Sequence, residues 1–94
     1  MSDLNSDPTV RRLREEIADV DRSIVDAVNM RLELVSRLKE YKTSRGLPFV
    51  DPEREQQLLD ELVAANRGPL STEGLRALVS EMLDLTKREV SRGG

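Results

Sequence analysis

DPTVRRLREEIADVDRSIVDAVNMRLELVSRLKEYKTSRG, residues 7 to 46, reads as one helix. Asp7 is a favourable N-cap, Pro8 suits the first helical position, and Gly46 followed by Pro48 is a stop signal. Between them Leu13, Ile17, Val20, Ile24, Ala27, position 31, Leu34, Leu38 and Tyr41 recur at alternating spacings of four and three. That is a sustained seven-residue repeat, the pattern of a helix with one long apolar seam.

Working outward, Asp51-Pro52 repeats the same starting device and predicts a second helix to about Asn66, with Leu58, Leu59, Leu62 and Val63 inward. Asn66-Arg67-Gly68-Pro69 ends it. Ser71 caps a third helix, with Glu73 in its first turn and a stripe of Leu75, Leu78, Val79, Met82, Leu83 and Thr86. Residues 1 to 6 and 91 to 94 are expected to fray. The expectation is an all-α chain of three helices forming a single domain over 1–94, with an ordered core of about 8–90.

Composition agrees and excludes much else. Of 94 residues 35% are charged and 2% aromatic, against roughly 25% charged in ordinary globular chains. Without Cys there is no disulfide framework, thiolate nucleophile or Cys-ligated metal, and without His the usual general base and commonest metal ligand are missing. No apolar run approaches the ~18 residues that span a bilayer, and MSDLNSDP lacks the apolar centre of a signal peptide. A net charge of -3 gives no general attraction to nucleic acid. The expectation is a cytoplasmic protein, with neither membrane nor nucleic acid as partner, whose chemistry comes from Arg, Lys, Asp, Glu and hydroxyls.

Length sets the assembly. A helix of about 38 residues is about 57 Å long, whereas a compact domain of this size is only about 30 Å across. The two shorter helices cannot cover its apolar stripe, so a homodimer built on paired, intertwined first helices is expected.

Polar residues on that seam are the informative ones. Arg31 occupies a position where Leu would fit, among Ala27, Val28, Leu34 and Val35. Its stem can pack while its head reaches solvent, or it can be a buried cation awaiting an anion. Lys42 follows about 16 Å along the helix, where it either complements the helix dipole or brackets a small dianion with Arg31. Arg14 is about 25 Å from Arg31 on the same helix, too far for one small ligand, but an antiparallel partner helix could bring its own Arg14 to this chain's Arg31. Asp51 and Glu55 have a structural explanation at a helix N-terminus; Arg54 opposes the dipole and calls for a neighbouring acid or a ligand carboxylate.

Taken in order, these segments resemble the all-helical chorismate mutase family. LREEIADVDRSIVDAV is similar to the family's opening LRxxIDxxDxxIxxLL, MRLELVSRLKEYK stands in place of RxxLxxxIGxxK, and GLPFVDPEREQQLLDEL is similar to xxPVxDPxREexLL. The likeness runs from about Arg12 to Glu89. It implies a dimer with two sites built from both chains, and the Claisen rearrangement of chorismate to prephenate on the way to phenylalanine and tyrosine. That reaction is unimolecular and needs no cofactor or metal. By the same resemblance Arg31 and the partner's Arg14 clamp the substrate carboxylates, Lys42 donates to the ether oxygen, Glu55 and the backbone at Asp51 bind the ring hydroxyl, and Arg54 supports the carboxylate end. Arg31, Lys42 and Glu55 are the implied catalytic residues.

The third helix departs from the family's LFxxIIxxSxxxQ. LVSEMLDLTKREV places Thr86 at the Ser position and Val90 at the Gln position; Thr keeps a hydroxyl, while Val donates nothing. The resemblance thus assigns Thr86 and Val90 to the substrate-binding set with one donor lost. Three other readings stand beside the mutase: an isochorismate–pyruvate lyase, a mutase-like module acting with an aromatic-pathway synthase, and a structural helical dimer with no ligand.

Overall fold

A computed structural model describes residues 4–92 and contains, among them, three α-helices and no strand. They are α1 (Pro8–Ser44), α2 (Pro52–Ala65) and α3 (Thr72–Arg92). The start of α1 is capped as expected: Asp7 Oδ1 accepts from the Thr9 and Val10 N–H groups at 2.9 and 3.1 Å, a cap of about 1 kcal/mol. Its end is a Schellman motif. Gly46 takes a positive φ of 68°, its N–H donates to Thr43 O at 3.2 Å, and the Leu47 N–H donates to Lys42 O at 2.8 Å. The helix therefore stops at Ser44, with Gly46 just outside it.

The same local chemistry bounds the other helices. Asp51 Oδ1 accepts from the Arg54 N–H at 3.1 Å with Pro52 at the first helical position. Asn66 closes α2 and ties the following turn, accepting from the Gly68 N–H at 3.0 Å and donating to Leu70 O at 2.8 Å. Ser71 Oγ accepts from the Gly74 N–H at 3.0 Å and opens α3. Beyond the expected core, Leu4–Ser6 form a 3-10 turn, and α3 runs through residue 91 to Arg92. The remaining terminal positions, 1–3 and 93–94, lie outside the described residues.

The chain divides into two compact units, with the division between Glu33 and Leu34. In the first, the apolar seam of α1 faces solvent: Leu13, Val20 and Ile24 are exposed, and Ile17 is 59% exposed. In the second, Leu34, Leu38 and Tyr41 continue the same seam and are equally exposed, Leu34 at 57%. Half-burial in this part of α1 falls instead on Val35, Lys39 and Lys42, a face offset from the seam by one residue, or about 100°.

Within the second unit α2 and α3 pack together, and the core comprises Leu75, Val79, Thr86 and Val90 of α3, with Leu58, Leu59, Leu62 and Val63 of α2 half-buried. The expected α3 stripe is corrected at one position. Leu78 is 57% exposed, because it lies about 90° around the helix from the centre of the buried face.

Candidate functional site

Two charged residues of the expected site lie in the first unit. Arg14 projects from an exposed stretch of α1 and donates from Nη1 to the Asn5 side chain. The 3-10 turn thus gives Arg14 a partner that periodicity did not foresee. Arg31 is half-buried among neighbours that include Val28 and Leu32, also half-buried. On one helix the two are about 25 Å apart, 17 residues at 1.5 Å each, so they do not share a small ligand within one chain.

The others lie in the second unit. Lys42, half-buried, donates from Nζ to Phe49 O at 3.3 Å, and Lys39 Nζ sits 5.7 Å from the centre of the Phe49 ring. The 45–51 connection is thereby held by two lysines of α1, one at its carbonyl and one at its ring. An ammonium has three donors, so the Phe49 contact orients Lys42 without exhausting it. The one sequence signal for Phe49 was an aromatic residue just before the Asp51-Pro52 helix start.

Asp51 spends one carboxylate oxygen on its capping bond, as its structural reading required. Arg54 finds the neighbouring acid its position called for: Nη1 lies 3.2 Å from Glu61 Oε1, two helical turns on, with both side chains more than half exposed. Glu55 is held differently. Its Oε1 lies 2.8 Å from Lys87 Nζ, with the Glu55 and Lys87 side chains 28% and 39% exposed. Because Glu55 begins α2 and Lys87 is near the end of α3, the pair joins the two helices in antiparallel order. The α3 motif offered Lys87 in plain view, one residue beyond Thr86, but spacing gave no reason to choose it.

Thr86 and Val90 belong to the packed side of α3. Thr86 is 6% exposed and Val90 5%. The Thr86 hydroxyl donates to Met82 O at 2.7 Å, a local bond common for Thr in helices. A cleft of about 250 Å³ opens between α2 and α3, lined among others by Glu55, Gln56, Leu59, Arg76, Val79 and Leu83. Of the expected site residues only Glu55 lines it; Lys42, Arg54, Thr86 and Val90 do not. Lys87 lies one turn beyond Leu83 on the same face of α3 as Arg76 and Leu83.

The described residues contain no group of three or more His, Cys, Asp or Glu side chains placed to hold a metal, and no described helix is long and apolar enough to cross a membrane. The first unit offers two cations, Arg14 and Arg31, and the second offers Lys42, oriented by Phe49 O, and the carboxylate of Glu55, paired with Lys87. Cations of this kind bind anions, and a carboxylate accepts from a hydrogen-bond donor.

Comparison with known proteins gives these positions a context. The family model for chorismate mutase type II matches residues 13–90. A bifunctional chorismate mutase/prephenate dehydratase of Aquifex aeolicus is 31% identical over 87 residues, 84% of this chain and 24% of that protein. The 4-amino-4-deoxychorismate mutase of Streptomyces venezuelae is 33% identical over 61 residues, 63% of this chain and 59% of that one. The chain spans about a quarter or less of the length of the curated relatives it matches first. Among solved structures, a chorismate mutase from Thermus thermophilus superposes with a TM-score of 0.81 at 35% identity, over 83% of this chain and 98% of that one. With its three helices and a family model running from Leu13 to Val90, this chain belongs to the chorismate mutase type II family.

Proposed function

We propose that this chain is a cytoplasmic chorismate mutase, converting chorismate to prephenate for phenylalanine and tyrosine synthesis in a symmetric, intertwined homodimer. The observation that carries the reading is the chorismate mutase type II family model over residues 13–90, on a fold shared over 98% of a solved chorismate mutase; Arg14, Arg31, Lys42, Arg54 and Glu55 are taken as its site residues from the resemblance of their sequence motifs. The exposed seam of α1 supports the dimer: Ile17, Ile24, Leu34 and Leu38 are large apolar side chains left exposed among the described residues, and a second copy buries them.

The chemistry follows from the side chains. In the rearrangement one carbon–oxygen bond breaks and one carbon–carbon bond forms within a single molecule, so no proton, electron or group has to be delivered. Arg31 and Arg14 of the partner subunit grip the two carboxylates with forked guanidinium donors. This holds the chain of reacting atoms in its folded, reactive shape, which removes an entropic part of the barrier. Lys42, oriented by Phe49 O, places a donor at the ether oxygen as negative charge grows there. Glu55 accepts from the ring hydroxyl, helped by the backbone at Asp51, while Arg54 supports the carboxylate end.

The test is to incubate purified protein with chorismate and, separately, isochorismate, and to identify products by chromatography. Prephenate from chorismate at an enzymatic rate is the expected result. Pyruvate from isochorismate would move the assignment to the lyase. A folded dimer that releases neither would contradict the reading and favour a module requiring an aromatic-pathway synthase as partner.

A further inference from the structure

We infer that Lys87 is a specificity-determining residue, which makes the Glu55 end of the site select a substrate bearing a neutral hydroxyl over one bearing an ammonium group at the same ring carbon. The inference rests on the proposed mutase reading, because it takes Glu55 as the acceptor for the ring substituent.

A lone carboxylate does not make this choice. It accepts a hydrogen bond from a hydroxyl, and it attracts a protonated amine more strongly because the charges are opposite. A Glu at this position by itself therefore favours the amine. In this chain the carboxylate is not alone: Lys87 Nζ lies 2.8 Å from Glu55 Oε1. The ammonium engages one oxygen and leaves the other to accept from substrate. A hydroxyl donating to that second oxygen brings no charge, whereas an ammonium there stands within a few ångströms of the Lys87 ammonium. Like charges so placed repel, and repulsion of the wrong ligand is an effective source of selectivity.

The placement favours a role at the substrate over a surface ion pair. Both partners are less exposed than those of the Arg54–Glu61 pair, at 39% and 28% against 55% and 62%. Lys87 also continues the row of α3 residues, Arg76 and Leu83, that lines the cleft holding Glu55. A pair that only pinned α2 to α3 would be indifferent to what substituent the ligand carries, and that indifference separates the two explanations.

The experiment compares kcat/KM for chorismate and for 4-amino-4-deoxychorismate, in which an amine replaces the ring hydroxyl, using the full chain, Lys87→Gln, Lys87→Met and Lys87→Arg. Wild type is expected to prefer chorismate. Lys87→Gln and Lys87→Met are expected to shift the ratio toward the amine by about tenfold, the scale of one partly screened like-charge contact. Lys87→Arg is expected to keep the wild-type ratio, and the shift in the neutral variants should shrink as salt is raised. An unchanged ratio in both neutral variants, or an equal loss on both substrates, would overturn the inference and leave Lys87 as a helix-to-helix tie. Wild type that converts chorismate with an unmoved ratio refutes this inference alone; wild type inactive on chorismate refutes the functional reading, and this inference with it.

Discussion

Val90 is 5% exposed on the packed face of α3, while Lys87, three residues earlier on the same helix, reaches Glu55 at 2.8 Å. The α3 residue that meets Glu55 is therefore a cation about 60° around the helix from the apolar position, and the two positions answer to different demands. One fills the core; the other holds a carboxylate.

Restoring the family's amide at position 90 should accordingly fail as a repair. Val90→Gln is expected to lose about 1–3 kcal/mol of stability, the cost of burying an amide without assured partners, and not to raise the rate. Urea unfolding at fixed protomer concentration, alongside chorismate turnover, measures both. A faster enzyme of unchanged stability would show that the side chain reaches substrate.

Thr86 gives a quieter prediction. Its hydroxyl bonds back to Met82 O at 2.7 Å, inside its own helix. Thr86→Val preserves shape, and local bonds of this kind contribute about 1 kcal/mol or less. Turnover is expected to stay within about twofold of wild type, far from the ~10²-fold loss that follows removal of a transition-state donor. A loss of that larger size would place the Thr86 hydroxyl on the substrate.

The α1 seam separates a monomer from a dimer. Ile24 is exposed in the single chain, so Ile24→Asp in a monomer would alter stability by only about 0.5 kcal/mol. In a dimer it buries two charges, each costing several kcal/mol. Sedimentation at micromolar concentration is expected to show a wild-type dimer, with Ile24→Asp dissociated or unfolded. A well-folded wild-type monomer would refute the assembly.

The helices were legible because their boundaries are written in local chemistry. Asp7-Pro8, Asp51-Pro52 and Ser71 start them by satisfying free N–H groups, and Gly46 supplies the one backbone conformation a Schellman turn requires. The heptad likewise announced an apolar seam on α1. Arg31 could be singled out because a charge on an apolar seam is costly without a purpose, whereas the roles expected of Lys42 and Glu55 came only from the resemblance of their motifs to the family's. Less legible was what depends on two helices meeting. Leu78 and Leu83 cannot be ranked by periodicity when a stripe is wide; here Leu78 turns outward, Leu83 is half-buried and Val90 turns inward. Nothing in the sequence marks Lys87, because its partner is 32 positions away, or the Phe49 contact, because the carbonyl that holds Lys42 carries no sequence signature.

In the proposed dimer each active site draws Arg31 from one chain and Arg14 from the other. Arg14→Ala and Arg31→Ala, purified separately, are each expected to be nearly inactive as dimers. Mixed under conditions of proven subunit exchange, they should recover about a quarter of the wild-type rate, because half the dimers are mixed and each mixed dimer of two-fold symmetry holds one intact site. Prephenate formation in the mixture at that level is the predicted result. Proven exchange with no recovery would contradict the composite site.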